Sequence, residues 1–264
     1  MEPPESAPVL VRRDGAVATL TLNRPARLNA VSLSLYDSLT ESLRTISSDS
    51  SIRAAVITGA GRAFSVGADL KTHGETDPTQ EERRHYIAAA QQANRLLQTL
   101  SKPVVAAING HAIGAGLELA LSCDLIIVAE EAKLRLPEIA LGTFVGGGVT
   151  YTLAQRVGLA KAKELVFLAD FIEAKEAARL GLANQCVPSA QVLETASSLA
   201  VRLAAMAPRS LALAKRLLGR AASIDRDTAL ADESEALLEC MQTRDWREGI
   251  NAFHERRQPR FTGS

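Results

Sequence analysis

The sequence predicts an α/β fold followed by a helical tail, on three observations. Short apolar runs bounded by turn residues alternate with segments of helical period up to about residue 190. Beyond that point the strand signals stop and helical periodicity continues alone. The composition, 47% hydrophobic and 23% charged, is that of a globular chain and excludes collagen, coiled-coil rod and low-complexity disorder.

Taken in order, residues 1–8 read as a proline-rich arm. Val9–Arg12 and Val17–Leu22 read as a hairpin around Asp14-Gly15. Leu35, Leu39, Leu43 and Ile46 mark a helix with Ser32 or Ser34 as its cap. Ala54–Thr58 is a buried strand, and residues 71–79, with Gly74 and Pro78, a loop. Ile87, Ala90, Ala93, Leu97 and Leu100 share one face of a long helix. Pro103–Ile108, Asp124–Val128 and Lys133–Leu136 are strands, and Gly114–Leu121 is an apolar helix. Val192, Ala196, Leu199, Leu203 and Met206 open the helical tail, with further helices over 209–220, 225–242 and 245–256. Strands and helices in this order suit repeated ββα or βαβ units.

Several classes of function are disfavoured. Lys+Arg and Asp+Glu stand at 30 each, so the net charge is zero and nucleic acid is not expected as a partner. No apolar run reaches the length of a membrane span. Residues 1–8 have neither a basic nor an apolar region of the signal-peptide kind, and the cytoplasm is expected. Cys123, Cys186 and Cys240 have no CxxC spacing, which argues against a disulfide framework or zinc site. His73, His85, His111 and His254 have no metal-ligand spacing, and no metal is expected.

Three segments concentrate glycine: 58–69, 109–118 and 141–149. A dinucleotide loop would need a third glycine where Phe64 and Leu119 stand, and a Walker loop a lysine where Gly148 stands. Ala63-Phe-Ser-Val-Gly67 falls one glycine short of a nucleophile elbow, which leaves Ser65 as a minor alternative. The acidic residues are sharper. Glu118 lies between Leu117 and Leu119 in a helix apolar almost all round, and Glu138 follows Pro137 before an apolar, Gly-rich turn. Alone, each has a structural reading: a buried ion-pair partner, or an acid at a helix start. Together with two stretches of approachable backbone they form a proton-transfer constellation, two carboxylates to move protons and amides to hold an oxyanion.

Asn23–Ala30, Ala63–Leu70, Lys102–Gly110, Gly114–Ala120, Cys123-Asp124, Leu136–Gly142 and the tail Glu248–Phe261 together resemble the signature of the enoyl-CoA hydratase/isomerase (crotonase) family. The resemblance runs in order from about Val9 to Phe261. It implies a crotonase-like spiral of ββα units over 1–195 carrying a CoA-thioester site. Residues 196–264 would then be a helical region for oligomerisation and pocket closure. It also implies trimers or hexamers, an acyl-CoA substrate, and no cofactor beyond the CoA of that substrate. Carried over residue by residue, the backbone N–H groups of Ala68 and Ala115 would form the oxyanion hole, and Glu118 and Glu138 would be the catalytic acids. Gly146 would position water. Arg27, Leu28, Asp69, Leu70, Lys71, Gly116, Phe253 and Arg256 would line the CoA and substrate path, with an adjacent subunit as a source for the last two. Ala115 stands where the family often has Gly, and Val145 where hydratases often have Pro. Two glutamates favour hydration over the alternatives, an isomerase or other enolate-forming reaction, or a weakly catalytic binding subunit.

Overall fold

The computed structural model describes residues 7–69 and 78–264. β1 (Val9–Asp14) and β2 (Val17–Leu22) form the expected hairpin, in register from Val9↔Leu22 to Asp14↔Val17, with Gly15 at φ +55° in the turn. β2 then starts a parallel sheet through β3 (Ala54–Gly59), β5 (Val104–Ile108), β7 (Leu125–Ala129) and β10 (Gln185–Val187). Every residue of β3 and β5 is buried. Cover on both faces is why they read as unbroken apolar runs rather than alternating ones.

A second sheet orders β4 (Ala63–Ser65), β6 (His111–Ile113), β8 (Lys133–Arg135) and β9 (Ile172–Glu173). Each of β3, β5 and β7 is followed at once by a strand of this small sheet. The turns are tight enough to require glycine. A Cβ at Gly59 would lie 2.2 Å from the Ala63 carbonyl oxygen, and one at Gly110 would lie 2.2 Å from that of Arg62. After the small-sheet strand comes a helix, which completes the ββα unit. α1 (Leu33–Ser48) and α2 (Gln80–Thr99) pack against each other, and α3 (Ala115–Leu121) follows β6. Ser32, not Ser34, caps α1 by accepting from the Leu35 N–H, and Thr79 with Glu82 forms a capping box on α2. The loop expected over 71–79 lies mostly outside the described residues.

Three short helices, α4 (Val149–Val157), α5 (Leu159–Leu168) and α6 (Ala174–Arg179), link the two sheets to the tail. α7 (Val192–Ala204) lies across β2, β3, β5 and β7 and buries Val192, Ala196, Ala200 and Ala204. The division placed at 195/196 therefore falls inside a helix that covers the large sheet. α8 (Pro208–Arg220), α9 (Arg226–Met241) and α10 (Arg244–Glu255) close the chain. α8 is tied down by Lys215, whose ammonium donates to the Leu97 carbonyl (2.9 Å) and to Asp124 (2.7 Å). α9 buries none of its residues against the described chain, and Leu230, Leu237, Leu238 and Met241 are exposed on it. Among the described residues no helix is long and apolar enough to cross a membrane.

Candidate active site

The site forms where the small sheet meets the start of α3. Residues 28–31 run alongside the end of β4: Val66 N–H donates to Leu28, Val31 N–H to Gly67 (2.7 Å) and Asp69 N–H to Val31 (3.1 Å). Ala68 sits opposite Val31 in a one-residue parallel bridge. In such a bridge the flanking residues, not the central one, exchange the bonds, so the Ala68 N–H turns away. Gly67 is at φ +91°, and a Cβ there would lie 2.9 Å from the Ile113 oxygen and 3.6 Å from the Ala115 nitrogen. That close approach sets the 67–68 peptide beside the 114–115 peptide. Ala115 opens α3, where N–H groups lack helical partners. Neither the Ala68 nor the Ala115 N–H has a hydrogen-bond partner among the described residues.

Gly114 joins both carboxylates to this cradle. Its N–H donates to Arg135 (2.8 Å), which draws the 135–138 segment against α3, and its carbonyl accepts the Glu118 N–H (2.9 Å). Its Cα faces the other acid: a Cβ would lie 2.7 Å from Glu138 Oε1. Glu118 is buried, and its Oε1 accepts the Gly146 N–H at 2.6 Å. That amide, expected to hold water, holds Glu118 instead. Burial raises the Glu118 pKa, and the Gly146 bond acts against the rise. Glu138 is also buried, and its Oε2 has no partner among the described residues. Burial, followed by the Glu118 charge, pushes its pKa up to about 7.

Two residues that sequence reasoning missed flank Glu118. The rings of Tyr36 and Tyr86 meet edge-on with centroids 5.5 Å apart, and Tyr86 donates to the Val31 carbonyl. Burial raises both phenol pKa values, and the Glu118 charge adds to it. On sequence alone, Tyr36 is indistinguishable from its core neighbours Leu35 and Leu39.

The remaining expected residues divide. Arg27 is exposed in the short turn Pro25–Arg27, and Leu28, at φ +51°, bonds the strand that leads to Ala68. Asp69 is buried in an ion pair with Arg24 at 3.0 Å, so its side chain serves the loop. Gly116 is pressed on Ser65, whose carbonyl oxygen a Cβ would meet at 2.4 Å. Ser65 is itself fully buried and donates to the Asn29 carbonyl, which removes it as a nucleophile. Leu70 and Lys71 lie outside the described residues, as does His73. Phe253, 81% exposed, and Arg256, at φ +53°, lie at the end of α10, which packs on α9.

A sequence profile described as enoyl-CoA hydratase/isomerase matches residues 12–264. The chain belongs to the enoyl-CoA hydratase/isomerase family. Among curated relatives of this family, the short-chain-enoyl-CoA hydratase of Clostridium acetobutylicum is 38% identical over 251 residues, covering 95% of each chain. The 2,3-dehydroadipyl-CoA hydratase of Escherichia coli is 38% identical over 257 residues, covering 97% of this chain and 98% of the other. A crystal structure of enoyl-CoA hydratase from Bacillus anthracis superposes with a TM-score of 0.93 at 35% identity, over 97% of this chain and all of that one.

Proposed function

We propose that this protein is an enoyl-CoA hydratase, adding water reversibly and syn across the α,β double bond of an acyl-CoA thioester. The observation that carries the reading is the meeting of two buried carboxylates at Gly114, beside two amides without partners among the described residues. Each group then has a task. The Ala68 and Ala115 N–H groups receive the thioester oxygen and stabilise the enolate that forms when a nucleophile adds at Cβ. Such preorganised donors are commonly worth about 10²–10³ in rate each. Glu118, whose bond from the Gly146 N–H opposes the pKa rise from burial, takes a proton from water. Glu138, with a pKa of about 7, keeps a protonated fraction at neutral pH and in that form delivers its proton to Cα. Arg27 and Leu28 border the path of the CoA moiety, and no cofactor beyond that CoA takes part.

The exposed apolar residues of α9, with Trp246 and Phe253 of α10, support self-association to a trimer or hexamer in which the tail of one subunit closes a neighbour's site. The three free thiols suit a reducing, cytoplasmic setting. Loss of enoyl-thioester absorbance across a panel of enoyl-CoAs is the direct test. Glu118→Gln decides between the reaction types. If hydration survives it and fails only in Glu138→Gln, the protein is a single-acid isomerase, and a 3-enoyl-CoA should turn over faster than a 2-enoyl-CoA.

A further inference from the structure

Glu118 owes its hydrogen bond to a glycine turn that is closed by the Val149 N–H on the Gly146 carbonyl (3.0 Å) and braced from outside. Gly147 and Gly148 stand at φ +61° and +78°, a conformation that glycine adopts freely and that nothing in the turn's own sequence enforces. What grips the turn is a polar cluster between α2 and the end of α3. Gln98 Nε2 donates to the Gly147 carbonyl at 2.8 Å and to the Ser122 hydroxyl at 3.0 Å. Ser122 Oγ donates to Asn94 Oδ1 at 2.8 Å, with the Glu118 carbonyl at 3.0 Å. Asn94, buried, is anchored through Nδ2 to the Ala90 carbonyl. The turn is also held sterically. A Cβ at Gly147 would lie 3.0 Å from the Asn94 amide and 3.1 Å from the Glu118 Cβ. The amide one residue before that gripped carbonyl is the Gly146 N–H, 2.6 Å from Glu118 Oε1.

We propose that Gln98, braced by Ser122 and Asn94, is a positioning residue for the base: by holding the Gly147 carbonyl it aims the Gly146 N–H at the Glu118 carboxylate. The inference rests on the hydratase reading for its kinetic consequence, although the geometry stands without it. Removing Gln98's donor loosens the turn and weakens the Gly146 bond, which favours ionised Glu118. The other titratable groups facing that carboxylate, Glu138, Tyr36 and Tyr86, are unchanged, and none donates a hydrogen bond to it among the described residues. Burial then pushes Glu118 further toward its protonated form.

The test is Gln98→Met, which keeps the length of the side chain and deletes the donor. On the self-assembled enzyme with crotonyl-CoA as probe, kcat should fall about tenfold while KM changes less than about twofold. The deficit should be largest at low pH and narrow as pH rises, because the acidic limb of the pH–rate profile moves to higher pH. A purely structural role would lower activity evenly across pH. Ser122→Ala, a small and buried replacement, should give the same trend at smaller size and serves if Gln98→Met does not fold. An unchanged pH–rate profile in whichever variant folds overturns the proposal. An inactive wild-type enzyme instead overturns the hydratase reading. In that event, ¹³C titration of the Glu118 side chain, assigned with Glu118→Gln, still judges the positioning role: equal titration in wild type and variant overturns it.

Discussion

At the scale of single residues, the proposed chemistry depends on two glutamates held in unlike surroundings. Glu118 accepts the Gly146 N–H, whereas Glu138 Oε2 has no partner among the described residues and the carboxylate sits on the Cα of Gly114. Burial lifts Glu138 to about 7, so it keeps its proton well above the ordinary carboxylate range. Hydration should therefore decline as pH rises through about 7, where Glu138 loses its proton. The same shift bears on stability. The folded pKa of about 7 lies above the ordinary 4.5, so folding favours the protonated acid. Stability is then fully present below about 4.5 and is lost as pH rises through about 7. Glu138→Gln should abolish that loss, with a gain of up to about 3 kcal/mol at alkaline pH and almost none under acid conditions. Hydration should drop by about 10² or more in the same variant. Urea unfolding on both sides of neutrality, with matched assays, checks both halves.

At the scale of elements, the junction between β6 and α3 carries more than its length suggests. Gly114 sits at φ +51° and ψ −126°, a region essentially confined to glycine. Its N–H, carbonyl and Cα each meet a different part of the site. Gly114→Ala should cost about 1–3 kcal/mol from backbone strain. Its methyl group would also displace the Glu138 carboxylate. Crotonyl-CoA hydration should fall at least as far as in Glu138→Gln, and the variant should show a lowered melting temperature, where Glu138→Gln shows a raised one above neutral pH. A Gly114→Ala enzyme with wild-type rate would refute the role assigned to this junction.

For the whole molecule, the tail is joined to the core chiefly through α7 and through Lys215. The Lys215 ammonium is largely buried and pairs with Asp124, which also accepts the Val104 N–H. Burial raises the Asp124 pKa, and the lysine lowers it. Lys215→Met leaves that carboxylate without its cation and should cost about 2–4 kcal/mol, near the range for breaking a buried pair from one side. Because Lys215 touches no group of the candidate site, the rate at low temperature should persist while the urea midpoint falls. Light scattering gives the assembly half of the reading. Leu230, Leu237 and Leu238 are exposed on a helix with no buried residue among the described ones; under the proposed self-association they meet a partner surface, and a monomer at micromolar concentration would exclude it.

Much of this was legible in the chain. Glu118 stood out because a charge among leucines must be used or paired, and Glu138 because it follows a proline at the edge of an apolar turn. The parallel strands announced themselves as unbroken apolar runs, and the tail by its helical period alone. The two- and three-residue strands β4, β6 and β9 were not visible, since a period needs more residues than they have. Nor were Tyr36, Asn94, Gln98 and Ser122, which look in sequence like ordinary residues on helix faces. Asp69 showed as an acid beside the cradle, and only the fold paired it with Arg24, 45 residues away. The sequence by itself determined which residue types could carry proton transfer and the periodicity that builds the layers, because both are local properties. Tertiary structure alone decided which amide faces which carboxylate. Those partners lie tens of residues apart: the register of the small sheet brings Gly114 to Glu138, and the packing of α2 on the 146–148 turn brings Gly146 to Glu118.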